Sequence, residues 1–374
     1  MIKYVQNFDV TKNINGVTNG VNIYGFANKI LGLGHNARQI LRAIEKTNIP
    51  YNYLDILCQS KEFDFIKPTL NHKFRTNLFC CNPDTDLSEF TKIEKNRNKK
   101  NIGLWAWEIE TLPNSWKEYS SLYDEIWTIS DFTKKILEKE LPNIPIKRIN
   151  IPGSPFNKLD KDNCKKTFGI DGDTFVCSFV FDSFSDINRK NPLYVIDSFE
   201  SSISNENSVL IIKCQNLGEK NKELLLNYPK TNKVKFIFET YTDEQMNHLF
   251  CATDLYISLH RSEGSGLTIM EALSLGIPCL VTNYGGCLDF CLPELCELVE
   301  YSYIELTDDI WYKTNFFKDS QVFWANPSVT DATNKLRQIF DNYDDYLIKT
   351  NELKKFIENN YNLENMSIFL KNNL

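Results

Sequence analysis

The chain has 374 residues, beyond the size at which one hydrophobic core usually stops growing, so two domains are expected. Its 42% hydrophobic and 13% aromatic content supplies packed cores and excludes a disordered chain. A net charge of −7 and a pI near 5.4 argue against nucleic acid as a partner, which needs a basic face, and no apolar run reaches the ~18 residues of a membrane span.

The opening MIKYVQNFDVTKN lacks the apolar core of a signal peptide, and the expectation is a cytoplasmic protein. Short apolar runs then alternate with longer amphipathic ones, the pattern of βαβ units on parallel sheets. Strands are predicted at 21–26, 51–56, 76–81, 101–107, 125–130 and 146–151, with helices clearest at 36–46 and 131–141. PGSPFNKLDKDNCKK carries proline, glycine and charge without periodicity and reads as a linker. A second series of strands follows at 174–181, 208–214, 234–239, 255–259 and 278–282, and the chain is mostly helical from about Thr330. The predicted fold is α/β. Two Rossmann-like doubly wound domains, 1–157 and 158–345, face each other across a cleft, and a helical tail, 346–374, packs back toward the first.

Open α/β sheets bind ligands beyond the carboxyl ends of their strands, so the residues just after each strand matter most. After the first strand, GFANKILGLGHNAR places Gly32 and Gly34 at a helix start, where backbone amides can meet an anion. The same pattern also suits a plain capping loop, or a dinucleotide site with Asp55 as its distant acid. In NIGLWAWEIETLP, Trp107 beside Glu108 suits a grip on a sugar or acceptor, by stacking and hydroxyl hydrogen bonds. The alternative is an aromatic core strand bearing Trp105 and Trp107. Arg189 and Lys190 follow a strand and precede the Asn191–Pro192 helix start; two cations there suit a diphosphate.

The densest stretch is SLHRSEGSGLTIMEALSLGIP, from Ser258 to Pro278. Glu263 stands at the lip of a glycine-broken turn and Glu271 lies inside the following helix, among Leu267, Ile269, Met270 and Leu273. An acid on an apolar helix is costly to bury unless something hydrogen-bonds to it. Between the two acids the amides of Gly266, Leu267 and Thr268 offer a phosphate cradle. Acid, anion cradle and acid in a line match sugar, diphosphate and ribose.

Other polar features are weaker. The triplets at Asp84–Asp86 and Asp171–Asp173 read as a helix cap and a turn, and no metal or other cofactor is expected. The basic run 92–100 is a solvated loop or a face for anionic membrane. The 11 cysteines read as small buried hydrophobes; Cys287, Cys291 and Cys296 lack a fourth ligand at zinc-site spacing.

With these residues in place the chain resembles the retaining GT-B glycosyltransferases of the group 1 (family-four) class. The likeness rests on Glu263-x7-Glu271 and on GLGHNAR, WAWEIETLP, DEIWTISDF, RKNP, SLHRSEGSGL, EALSLGIP and FWANPSV, spread from Gly32 to about Val329. The resemblance implies that Glu263 contacts the transferred sugar, Glu271 holds the ribose hydroxyls, and Arg189 with Lys190 neutralises the leaving diphosphate. It also implies a final helix that returns to the N-terminal domain. The sequence departs from the pattern at His35, Ser265 and Cys287, positions that bear on which sugar is carried. The expected partners are a nucleotide-diphosphate sugar and a glycan or lipid-linked acceptor. A sugar-nucleotide epimerase and a silent glycan-binding subunit are the rival readings.

Overall fold

The computed structural model describes residues 19–56, 74–84, 99–307, 310–318 and 320–374. The chain forms two compact units, Met1–Trp107 with Thr111–Pro152 and Tyr361–Leu374, and Glu108–Glu110 with Gly153–Asn360.

The first unit holds six parallel strands in the order β2-β1-β3-β4-β5-β6. They are β1 (Val21–Gly25), β2 (Tyr51–Asp55), β3 (Thr76–Cys80), β4 (Lys100–Trp105), β5 (Glu125–Thr128) and β6 (Ile146–Arg148). Every residue of β1 is buried, as befits a strand covered by helices on both faces. Val21 and Ile23 share a core with Ala37, Ile40 and Leu41 of the helix Gly32–Ile44. Met366 and Leu370 of the helix Leu363–Asn373 complete that core. Phe369 meets Trp127 edge-on at 4.9 Å, and Arg148 donates to the Tyr361 hydroxyl at 2.6 Å.

Four asparagines lie side by side across this sheet. The register sets Asn52 beside Asn22, Asn22 beside Asn77, and Asn77 beside Asn101. Asn22 donates to Asn77 Oδ1 at 2.8 Å, Asn77 to Asn101 Oδ1 at 2.9 Å, and Asn101 to the Leu122 carbonyl at 3.1 Å. Strands buried on both faces have little alternation to fix their pairing, so the amide bonds from Asn22 to Asn77 and from Asn77 to Asn101, which form in one alignment, supply the register of β1, β3 and β4.

The second unit has its own six parallel strands, ordered β12-β11-β10-β7-β8-β9. They are β7 (Phe175–Asp182), β8 (Ser208–Gln215), β9 (Val234–Ile237), β10 (Leu255–Ser258), β11 (Cys279–Thr282) and β12 (Glu297–Val299). Counted from β7 this is the 3-2-1-4-5-6 order of dinucleotide folds, whereas the first sheet begins 2-1-3-4-5. The strand order therefore reverses between β7 and β10, and a ligand crevice is expected at their carboxyl ends. β12 and the antiparallel pair β13 (Tyr301–Glu305) and β14 (Phe323–Pro327) were not among the predicted strands. β12 has only three residues, too few to show a period, and β13 is mostly exposed.

Two expected boundaries move. The first unit ends at Pro152 rather than 157, because the following residues bind the second unit: Ser154 N donates to Glu271, and Phe156 packs on Phe250 at 5.5 Å. The tail begins at Tyr361 rather than 346. The helix Tyr343–Asn360 buries Leu353 and Ile357 within the second unit, and Tyr346 donates to Glu297 at 2.9 Å. No helix of the described residues is long and apolar enough to cross a membrane.

Candidate active site

Arg189 and Lys190 sit where the expected crevice is. β7 ends at Asp182, which caps a short 3-10 turn, and Asp186 then caps the helix Ile187–Lys190. Asn191 takes a left-handed conformation (φ 57°), closing that helix and opening Pro192–Ser202, whose first residue is proline. Its side chain donates to the Leu259 carbonyl at 2.8 Å, tying this loop to the one after β10.

The two loops meet through charge. Lys190 Nζ lies 2.5 Å from Glu263 Oε2, and Arg189 Nη1 lies 3.8 Å from the same oxygen. The Arg189 guanidinium is 4% exposed; it donates to the Ser185 carbonyl at 2.8 Å and the Ser262 carbonyl at 2.7 Å. Burial alone would raise the Glu263 carboxyl, but Lys190, Arg189 and His260 hold it well below the usual carboxylate range. Burial lowers Lys190, with Glu263 opposing. A carboxylate held this firmly anionic is a poor base, so its chemistry is that of a fixed negative charge and hydrogen-bond acceptor.

The backbone seat of Glu263 explains the glycines around it. Its carbonyl accepts from Gly286 N at 2.7 Å; at Gly285 (φ +96°) a Cβ would stand 2.5 Å from that oxygen. Glu263 Oε1 accepts from Gly266 N at 3.2 Å, and Gly266 (φ +84°) caps the helix Leu267–Ser274. Beneath lies fully buried His260, bonded to Ser258 Oγ at 3.0 Å and the Tyr284 carbonyl at 2.9 Å, with Cys287 Sγ at 3.7 Å. A hydrogen bond from Cys291, with His260 close by, draws the Cys287 thiol below its ordinary range. Cys287, Cys291 and Cys296 are all buried, and among the described residues no three His, Cys, Asp or Glu side chains are grouped to hold a metal ion.

Glu271 is 7% exposed, on the same helix as Ile269, Met270 and Leu273. Its Oε1 accepts from Ser154 N at 3.2 Å, while Gly153 leaves so little room that a Cβ would come 3.2 Å from Glu271 Cγ. The amides of Leu267 and Thr268 are the first of that helix and have no intrahelical acceptor. The Thr268 hydroxyl faces inward and accepts from Tyr256 at 2.8 Å.

Glu108, expected beside Trp107 as a sugar or acceptor contact, joins this cluster. Its Oε1 accepts from the Tyr312 hydroxyl and lies 3.6 Å from Arg189 Nη2, and its carbonyl accepts from Ser262 Oγ. The Arg189 guanidinium stands 5.9 Å from the Tyr312 ring centroid. Tyr312 and His260 had no signal of their own in the sequence, since Glu108 is 204 positions from Tyr312 and the Tyr284 carbonyl and Cys287 are 24 and 27 positions from His260.

Of the remaining predicted positions, Trp107, Gly32, Gly34 and Asp55 lie in the first unit. Trp107 is a correction: only 2% exposed, it donates to the Thr111 carbonyl at 3.0 Å and packs on Trp116 at 4.6 Å, a core residue without a face for a sugar. Gly34 is there for close approach, since a Cβ would stand 2.2 Å from the Lys29 carbonyl oxygen; Gly32 has open space around it. Asp55 accepts from Asn28 N at 3.1 Å and Tyr53 at 2.8 Å, tying down the loop after β1. Asp171 and Asp173 are exposed beside a turn; Asp86 and residues 92–98 of the basic run lie outside the described residues.

Comparison with known proteins bears on the fold and on the segment that carries these residues. The family model for glycosyl transferases group 1 matches residues 181–299, which run from the end of β7 to the end of β12 and contain Arg189, Lys190, Glu263 and Glu271. That segment is similar to group 1 glycosyl transferases, and the chain carrying it has the two-sheet GT-B fold. A curated relative is the UDP-Gal:α-D-GlcNAc-diphosphoundecaprenol α-1,3-galactosyltransferase of Escherichia coli, 30% identical over 195 residues, 47% of this chain. The match spans about half the length of that relative (49%). Among solved structures, Anabaena HepE in complex with UDP-glucose superposes with a TM-score of 0.69 at 12% identity, covering 95% of this chain and 100% of that one. Sucrose-phosphate synthase of Thermosynechococcus elongatus gives 0.71 at 9% identity, covering 95% and 98%. At such identities these structures share the fold.

Proposed function

We propose that this protein is a retaining glycosyltransferase that moves a sugar from a nucleotide-diphosphate donor to a hydroxyl of a glycan or lipid-linked acceptor, without a metal ion. The observation that carries the reading is the Lys190–Glu263–Arg189 cluster at the strand-order reversal of the second unit. The leaving diphosphate is stabilised by Lys190, by Arg189 and by the first amides of Leu267–Ser274, a preorganised field that costs no rearrangement as charge develops. Glu263, held anionic, accepts hydroxyl hydrogen bonds from the transferred sugar. Glu271 binds the ribose hydroxyls in place of its present bond to Ser154. The lipid-linked acceptor of the Escherichia coli relative supports an acceptor of that class here.

The test supplies UDP-galactose, UDP-glucose and UDP-GlcNAc in turn with a GlcNAc-diphospholipid acceptor, in EDTA, and reads product anomers by NMR. A glycoside with the donor's α configuration is expected. An inverted product, or activity that returns only with manganese, would overturn the mechanism. Donor interconverted without acceptor would favour the epimerase, and no turnover of any donor the silent subunit.

A further inference from the structure

The geometry points to Tyr312 as a positioning residue that holds Glu108 off Arg189 and so keeps the guanidinium available to an anionic ligand. This deepens the diphosphate reading above and rests on it. One carboxylate oxygen, Glu108 Oε1, has two suitors. The Tyr312 hydroxyl donates a hydrogen bond to it, whereas Arg189 Nη2 stays at 3.6 Å, outside hydrogen-bond range. Guanidinium and carboxylate otherwise favour a close two-point pairing, so the longer separation reflects the competing hydroxyl. The cluster holds two cations and two carboxylates: Arg189 and Lys190, Glu108 and Glu263. Lys190 is already committed to Glu263. Were Glu108 to close on Arg189, a two-point pairing would take up Nη2, and a diphosphate would lose that donor to the carboxylate.

Tyr312 suits this role by placement. It is 6% exposed, on the helix Trp311–Phe316 within the excursion between β13 and β14, outside the parallel sheet of its unit. Its ring faces the Arg189 guanidinium at 5.9 Å, so the side chain touches both members of the pair it separates.

Calorimetric binding of inorganic pyrophosphate to the full chain tests this without knowing the donor. Tyr312→Phe keeps the ring, removes the hydroxyl and releases Glu108, and is expected to weaken pyrophosphate about tenfold. Glu108→Gln removes the competing charge and is expected to tighten binding severalfold. In the Glu108→Gln background, Tyr312→Phe is expected to change binding less than twofold, because the two act as one unit. Opposite signs for the two single variants are what a merely structural role does not give. Both variants weakening binding, neither changing it, or additive effects would overturn the role of Tyr312 and leave the diphosphate reading standing. No pyrophosphate binding by the unaltered chain would remove the diphosphate reading and this proposal with it. Melting temperatures confirm that each variant is folded.

Discussion

Glu263 and Glu271 share a loop and a helix but differ in surroundings. Glu263 is paired with Lys190 and near Arg189; Glu271 meets a backbone amide. On the proposed function the ribose is bound alike in ground and transition states, whereas the sugar changes charge and shape as its bond breaks. Glu271→Gln is therefore expected to raise the donor KM about tenfold, for a charged hydrogen bond weakened by ~1.5 kcal/mol, with kcat little changed. Glu263→Gln should lower kcat itself. Steady-state kinetics with donor varied separates the two, and the reverse pattern would mean the nucleotide sugar lies the other way round. A third residue, His35, predicts a pH effect. Burial, with Arg38 and Arg42 nearby, lowers its imidazole from 6.5 to about 4, while its Nε2 bonds the Pro152 carbonyl at 2.8 Å. Between those values the unfolded chain takes up the proton first, so stability is full above pH 6.5 and falls by about 3 kcal/mol as pH drops to 4. His35→Gln, which keeps a donor for Pro152, should flatten that slope in denaturant titrations at several pH values; an unchanged slope would assign it to other groups.

At the level of elements, glycine positions separate turns from accidents. Gly285→Ala would force an L residue into φ +96° with its Cβ 2.5 Å from the Glu263 carbonyl oxygen. A loss of ~2–4 kcal/mol is expected, with kcat reduced because the strain falls on the seat of Glu263. Gly32→Ala, in open space on a helix, should be neutral or slightly stabilising. Melting and activity of the two variants side by side test the contrast; equal effects would mean the Gly285 turn relaxes. These strands and turns were legible in the sequence because their signals are local: apolar runs such as SVLIIKCQ, the Asn191–Pro192 helix start, the glycines of the Glu263 turn. Arg189, Lys190 and Glu263 stood out because each follows a strand. What was not legible depends on residues far apart. Glu108 meets Tyr312 across 204 positions and Ser262 across 154, and nothing in WAWEIETLP tells a core tryptophan from an exposed one. The asparagine row across β2, β1, β3 and β4 was equally invisible, since each member is one polar residue in an apolar run.

For the molecule as a whole, the first unit is discontinuous: its core includes Met366 and Leu370, 1% and 0% exposed, although Gly153–Asn360 belongs to the second unit. Ending the chain after Asn360 removes two core side chains worth ~2–5 kcal/mol each. Calorimetry is expected to show an early transition for the first unit and an unshifted one for the second; a single unshifted transition would show that the last helix is dispensable. The same discontinuity bears on how the protein comes into being. A ribosome making ~5–20 residues per second needs ~10–40 s for the roughly two hundred residues between Pro152 and Tyr361. Throughout that interval the first sheet exists without the helix that packs on Trp127 and on the helix Gly32–Ile44. Of the two units, the one whose sheet is translated earlier is thus the later to be finished. Its uncovered apolar face is where a chaperone has most to hold, and where an aggregate has most to gain.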